Sequence, residues 1–165
     1  MATKRILYIT DDIALENGYE VIIGLRKLEA EDPISPIVLF INSYGGRVDV
    51  CLAIVDVMND LSCPVYTVGY GQVMSAGAFI LANGSKGNRS LAPNARVLLH
   101  HPNGNNVLGD TDTGMAVFLA YRDMVDVLIA EASERSIEEV SSKMSTDYYL
   151  SATEAVEFGI VDTVL

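Results

Sequence analysis

The sequence predicts an α/β fold, and three observations carry that prediction. Short apolar, β-branched runs alternate with longer segments whose apolar residues recur every three or four positions. Gly, Pro and Asn separate the two kinds of segment. Residues 37–41, IVLFI, form a continuous apolar run of the kind seen in strands covered on both faces. Such alternation builds parallel sheets through right-handed crossovers, and ligands bind beyond the carboxyl ends of the strands.

In chain order, residues 5–9 read as a strand and 13–30 as a helix with Leu15, Tyr19, Ile22, Leu25 and Leu28 on its apolar face. Pro33 and Pro36 bound a turn before the 37–41 strand. Gly45 and Gly46 follow, then a helix with Val48, Leu52, Val55, Met58 and Leu61 on one side. PVYTVG (64–69) reads as the next strand and leads to Ser75 and a short helix that stops near Asn83 and Gly84. Residues 85–94 read as a loop and 97–100 as a strand. A Gly/Asn stretch, HPNGNNVLGD (101–110), precedes a long helix with the stripe Phe118, Tyr121, Val125, Leu128 and Ala132. Ser136 with Glu139 and Ser151 with Glu154 are capping boxes, and Gly159 ends the second helix. No solenoid-period repeat and no linker interrupts the chain, so residues 1–165 are expected to form one domain.

Composition narrows the function. With 11 basic and 22 acidic residues, net charge −11, the chain lacks the basic patches that nucleic acid or an anionic membrane requires. Cys51 and Cys63 have no metal-ligand spacing and read as buried thiols in a reducing compartment. No apolar stretch approaches the roughly 20 residues of a membrane span, and the start, MATKRILYITDD, lacks a leader layout. A cytoplasmic protein is expected.

Three spots fall at strand ends: Gly45 with Gly46, Ser75 and His100. Ser75 has two readings, an N-cap whose oxygen accepts a first-turn N–H, or a nucleophile at a helix mouth that favours negative charge. The surrounding GQVMSAG is not the G-x-S-x-G elbow. A serine nucleophile needs a base, and the base an orienting carboxylate. The chain has only two histidines, His100 and His101, and alternation along a strand lets one of them face Ser75. Asp110, Asp112, Asp147 and Asp162 are all candidates for the carboxylate. Side-chain-free N–H groups at Gly45 and Gly46 suit an oxyanion hole, as they also suit a tight turn.

Taken together, INSYGG (41–46), GQVMSAGAFIL (71–81), NGSKGNRSLAPN (83–94), LLHHP (98–102) and DYYLSATEAVEFGIVD (147–162) resemble the proteolytic subunit of the Clp protease, in one register across nearly the whole chain. The resemblance implies a crotonase-like α/β fold of stacked βα units with a protruding handle helix around 112–134. It implies a serine-type endopeptidase with Ser75 as nucleophile, His100 as base and Asp147 as orienting carboxylate, leaving His101 where the family has Gln. The backbone N–H groups of Gly45 and Ala76 would bind the oxyanion. Pro102, Asn103, Gly104, Asn105, Asn106 and Val107 would form the strand that binds substrate by backbone pairing. The implied partners are a peptide or unfolded protein, further copies of the chain in one or two heptameric rings, and an AAA+ unfoldase or full-length Clp paralogue. No metal or other cofactor is expected.

The chain departs from the family pattern at four places. Only MATK precedes the first strand, where the family carries pore loops and an ATPase-docking helix, so ATPase coupling is not carried over from the resemblance. Tyr44 replaces proline beside the oxyanion glycines. Ala76 replaces methionine, which leaves the backbone donor intact. Tyr148 replaces an arginine that pairs across rings. Two other readings compete with an active peptidase: a non-catalytic ring subunit working with a full-length homologue, and a crotonase-type acyl-CoA enzyme, which would not need Ser75 and His100.

Overall fold

The computed structural model describes residues 4–103 and 112–165. The elements run β1 (Ile6–Ile9), α1 (Leu15–Glu31), β2 (Ile37–Ser43), α2 (Val48–Asp60), β3 (Val65–Met74), α3 (Ala76–Ala82), β4 (Arg89–Leu91), β5 (Arg96–Leu99), α4 (Asp112–Ser133), α5 (Ile137–Met144), β6 (Tyr148–Ser151), α6 (Ala152–Phe158) and β7 (Thr163–Val164). This is the expected α/β architecture. Among the described residues the strands form one sheet with the path β1-β2-β3-β4-β7. The long β3 is its spine. Its first half pairs with β4 through Thr67–Gly69, and its second half with β5 through Gln72–Met74. All pairings are parallel except β5 with β6.

Three strands escape the sequence reading. β4 lies inside the stretch read as a loop, and β6 and β7 have four and two residues, too few to show a period. β2 is covered differently from expectation: Ile37, Leu39 and Ile41 are buried, whereas Val38 and Phe40 are only partly so. On that second face Phe40 stacks between Tyr8 at 5.5 Å and Tyr70 at 5.7 Å, a ladder across β1, β2 and β3. Tyr8 and Tyr70 remain 60% and 43% exposed.

α1 also turns another face inward. It buries Gly18, Val21, Leu25 and Leu28, while Leu15 and Tyr19 are exposed. The periodicity is right and the stripe is rotated, because α2 packs on the Gly18 side: a Cβ at Gly18 would lie 2.1 Å from Val50 Cγ1. The box at Ser136 is half formed. Ser136 Oγ accepts from the Glu139 N–H, but the Glu139 carboxylate pairs with Arg135 instead. The box at Ser151 is complete, and Gly159 ends α6 in the left-handed conformation.

One buried charge ties the elements behind the site together. Arg89 is 2% exposed and its guanidinium donates to Asp162 through Nε and Nη2, at 3.0 and 2.7 Å. Its remaining N–H groups donate to the carbonyls of Ala82, Ala132 and Gly159. These carbonyls lie in the last turns of α3 and α4 and just after α6, where C=O groups lack intrahelical partners. Among the described residues no helix is long and apolar enough to cross a membrane. Cys51 and Cys63 are both free and buried.

Candidate active site

β2, β3 and β5 run parallel and side by side, so their carboxyl ends open at one edge. Gly46, Ser75, Ala76 and His100 line a single cleft of about 410 Å³ there. Three helices, α2, α3 and α4, supply an apolar wall of Val48, Phe79, Phe118 and Tyr121, joined by Ile13. A roomier groove of about 850 Å³ between α2 and α4 is lined by acidic and apolar side chains and holds no pair of nucleophile and base.

Ser75 occupies the junction of β3 and α3 with φ 52° and ψ −124°. A positive φ is costly for a residue with a Cβ, typically about 1–3 kcal/mol, and Ser75 and Glu134 are the only non-glycine residues to adopt it among those described. The turn is over-determined by its surroundings. The Ser75 N–H donates to Leu98 O at 2.8 Å, which fixes the serine to the strand that carries His100. The Ser75 carbonyl accepts from the N–H groups of Ala78 and Phe79 and so starts α3. Its hydroxyl makes no capping bond. Ser75 is therefore an N-cap by backbone position alone, and its side chain is left for the cleft.

The structure separates the two histidines. His100 faces the cleft and stands 3.9 Å, Nδ1 to Oδ1, from Asp147. That is an ion-pair distance and longer than a hydrogen bond. Asp147 itself is 62% exposed. Burial lowers the His100 pKa from its ordinary value; Asp147 opposes the shift and His101 reinforces it. His101 points the other way, with Nε2 2.8 Å from Oδ1 of the buried Asp126 on α4. Of the other carboxylates considered, Asp162 is engaged with Arg89, Asp112 lies in the first turn of α4, and Asp110 falls outside the described residues.

The glycine turn after β2 differs from expectation in one donor. The Gly45 N–H donates to Ser43 Oγ at 3.1 Å, and Ser43 in turn donates to Asp11 O at 2.7 Å. The Gly46 N–H has no hydrogen-bond partner among the described residues, and Gly46 rather than Gly45 lines the cleft. Gly45 O and Arg47 N bond Ile13 on either side of it, which holds the turn beneath the site. The free donor expected at Gly45 is thus found one residue on. The Ala76 N–H likewise has no partner among the described residues, as befits the first turn of a helix.

Tyr44 is 69% exposed and leaves the turn to be held by Ser43 and Ile13. Tyr148 packs edge-on against Phe158 at 5.4 Å, with Lys143 Nζ 5.0 Å from its ring centroid, so its apolar body is used within the chain. Pro102 and Asn103 line the cleft, whereas Gly104, Asn105, Asn106 and Val107 fall outside the described residues. Sequence reasoning missed Ser43 beneath the turn and the Arg47–Asp49 ion pair at the cleft. Phe118 and Tyr121, from the apolar stripe of α4, line the site. No group able to hold a metal ion occurs among the described residues.

The family model described as Clp protease matches residues 1–165. The chain is 36% identical over 164 residues to the ATP-dependent Clp protease proteolytic subunit 1 of Rhodopirellula baltica, covering 98% of this chain and 72% of that protein. It is 34% identical to the ATP-dependent Clp protease proteolytic subunits of Leuconostoc citreum and Streptococcus sanguinis, again over 98% of this chain and over 82% and 84% of theirs.

Proposed function

The chain belongs to the Clp protease family, and we propose that it is a serine-type endopeptidase of that family in which Ser75 is the nucleophile, His100 the general base and Asp147 the orienting carboxylate. The observation that carries the reading is Ser75: a strained, uncapped serine sharing one cleft with an imidazole and two unpaired backbone N–H groups.

His100 takes the Ser75 proton as Oγ attacks the peptide carbonyl, and the tetrahedral oxyanion accepts hydrogen bonds from the Gly46 and Ala76 N–H groups. Collapse of that intermediate expels the amine, protonated by His100, and leaves an acyl-serine. Water, deprotonated by the same imidazole, then releases the acid. Asp147 stabilises the imidazolium once its 3.9 Å separation from His100 shortens by about 1 Å, a tightening common when a substrate binds. No step needs a metal or other cofactor. The apolar wall of Phe79, Phe118 and Tyr121 suits an apolar side chain next to the scissile bond, and backbone pairing along the segment after His100 suits broad specificity.

Clp protease family members form oligomeric rings that work with AAA+ ATPases. We assign this chain to heptameric rings in the cytoplasm, degrading peptides and unfolded proteins. For a protein partner, the exposed ladder of Tyr8, Phe40 and Tyr70 offers apolar surface of the kind that marks interaction sites. A second reading, a subunit that closes its site only against neighbouring copies, is favoured by the exposure of Asp147 and its distance from His100.

The test is labelling by a fluorophosphonate, read by intact mass and peptide mapping, alongside Ser75→Ala and His100→Ala. Modification of Ser75 that both variants abolish supports the peptidase. A folded, assembled wild type that does not label rejects it. Labelling confined to the assembled fraction would select the second reading.

A further inference from the structure

We propose that His101 and Asp126 form a positioning pair that holds the general base His100 in register with Ser75 and Asp147. The inference rests on the catalytic reading of His100 given above. The two histidines are adjacent in sequence and divergent in space, His100 to the cleft and His101 to α4. The His101–Asp126 contact is 2.8 Å long, and its side chains are 13% and 5% exposed.

Burying such a pair is a poor way to gain stability, because desolvation offsets most of the attraction and an apolar pair of equal volume packs as well or better. What the pair does supply is one defined geometry, and the residue it defines is the one immediately after the base. His101 is gripped twice. Its ring N–H donates to Asp126 of α4, and its backbone N–H donates to Met144 O at 2.9 Å. Met144 ends α5, and Asp147 follows three residues on, just before β6.

His100 therefore lies between two anchors. On one side is the ladder pair Leu99 with Tyr148; on the other is the doubly held His101. Both anchors reach the segment that bears Asp147. Rotation of the peptide joining the histidines would swing the His100 ring against Ser75 and Asp147 together, and a misplacement of about 1 Å can cost on the order of 100-fold in rate. The Clp motif has Gln at position 101, where this chain places His101 against Asp126. The ionisable groups around the two imidazoles are Asp147, Asp126 and, across the cleft, Arg47, Asp49 and Tyr121. Among these His101 acts on His100 to lower its pKa.

Two double variants test the pair in the 165-residue chain. In His101→Leu/Asp126→Leu the site keeps its volume and loses the bond. In His101→Gln/Asp126→Asn it keeps a hydrogen-bonded pair without charge. The apolar variant is expected to remain folded and to label Ser75 about 10- to 100-fold more slowly, with kcat on a short peptide ester falling and KM nearly unchanged. The Gln/Asn variant is expected to recover most of the rate and to shift the acid limb of the pH profile upward, since the lowering influence of His101 is gone. An apolar variant that labels at the wild-type rate, or a Gln/Asn variant no faster than the apolar one, overturns the proposal. Should the apolar variant fail to fold, Asp126→Ala, which takes away the acceptor of the His101 ring, decides, with slower labelling expected and an unchanged rate refuting.

If wild-type labelling fails or survives His100→Ala, the catalytic reading falls instead. The positioning claim then stands or falls on the imidazole NMR resonances, two in this chain. The His100 signal should move when Asp126 is replaced, and a signal that stays in place overturns the pair.

Discussion

A Cβ built on Gly45 would stand 2.7 Å from the Ser75 Cβ and 2.8 Å from the Met74 carbonyl oxygen. The turn after β2 and the turn after β3 are therefore in direct contact, with no side chain between them. In the proposed mechanism that closeness brings the Gly46 N–H within reach of a carbonyl attacked by Ser75.

Gly45→Ala tests it. The new methyl would displace one turn from the other, and φ +106° at this position is itself strained for alanine. The expected outcome is a folded protein with a lowered Tm whose Ser75 labelling rate falls on the order of 100-fold or more, the typical loss for an oxyanion donor. Wild-type labelling by this variant would place the turn outside the reaction.

The pH dependence follows from His100. Burial, with His101 acting in the same direction, outweighs Asp147 and puts its pKa below the ordinary value, which is about 6.5. The base works in its neutral form, so the rate should rise with pH through a midpoint below that value and level off above it. Asp147→Asn removes the one influence that raises the pKa. The midpoint should then move further down while the plateau drops by about 10²- to 10⁴-fold. A pH series of labelling rates reads both, and an upward midpoint in Asp147→Asn would contradict the assignment.

Arg89 carries a prediction about stability alone. Arg89→Met removes five donors from Asp162 and three helix-end carbonyls and should cost about 3–5 kcal/mol, the usual result of breaking a buried pair from one side. Arg89→Lys should recover little of this, because an ammonium cannot span a planar fork of partners. Urea unfolding of the three proteins is the measurement. A lysine variant as stable as wild type would show that charge, and not the fork, is what matters.

The cysteines should be silent. Cys51 lies fully buried with Sγ donating to Ala76 O at 3.3 Å, and burial raises its pKa; Cys63 is 2% exposed. A disulfide dye should react with neither in the native protein and with both after denaturation. Rapid reaction of the native protein would mean that α2 does not pack beneath α3 as described.

Local pattern was enough for much of this. Helical period located α1, α2 and α4, apolar runs located β1, β2, β3 and β5, and the pair Ser151 and Glu154 marked the start of α6. Strand alternation also required that only one of His100 and His101 face Ser75. These are statements about neighbours along the chain, and sequence determines them because the forces involved act over a few residues.

The remaining choices depend on groups distant in sequence. Which histidine faces the cleft is decided where Asp126, twenty-five residues away, takes the other. Which glycine keeps a free N–H is decided by Ser43, itself held by Asp11 thirty-two residues back. β4 and β7 pair beside the contact of Arg89 with Asp162, seventy-three residues apart, with no pattern of their own to announce them. On paper a cap is the stronger reading of Ser75 and a nucleophile the weaker. Only the backbone, bent to a positive φ by β5 on one side and α3 on the other, turns its hydroxyl away from capping.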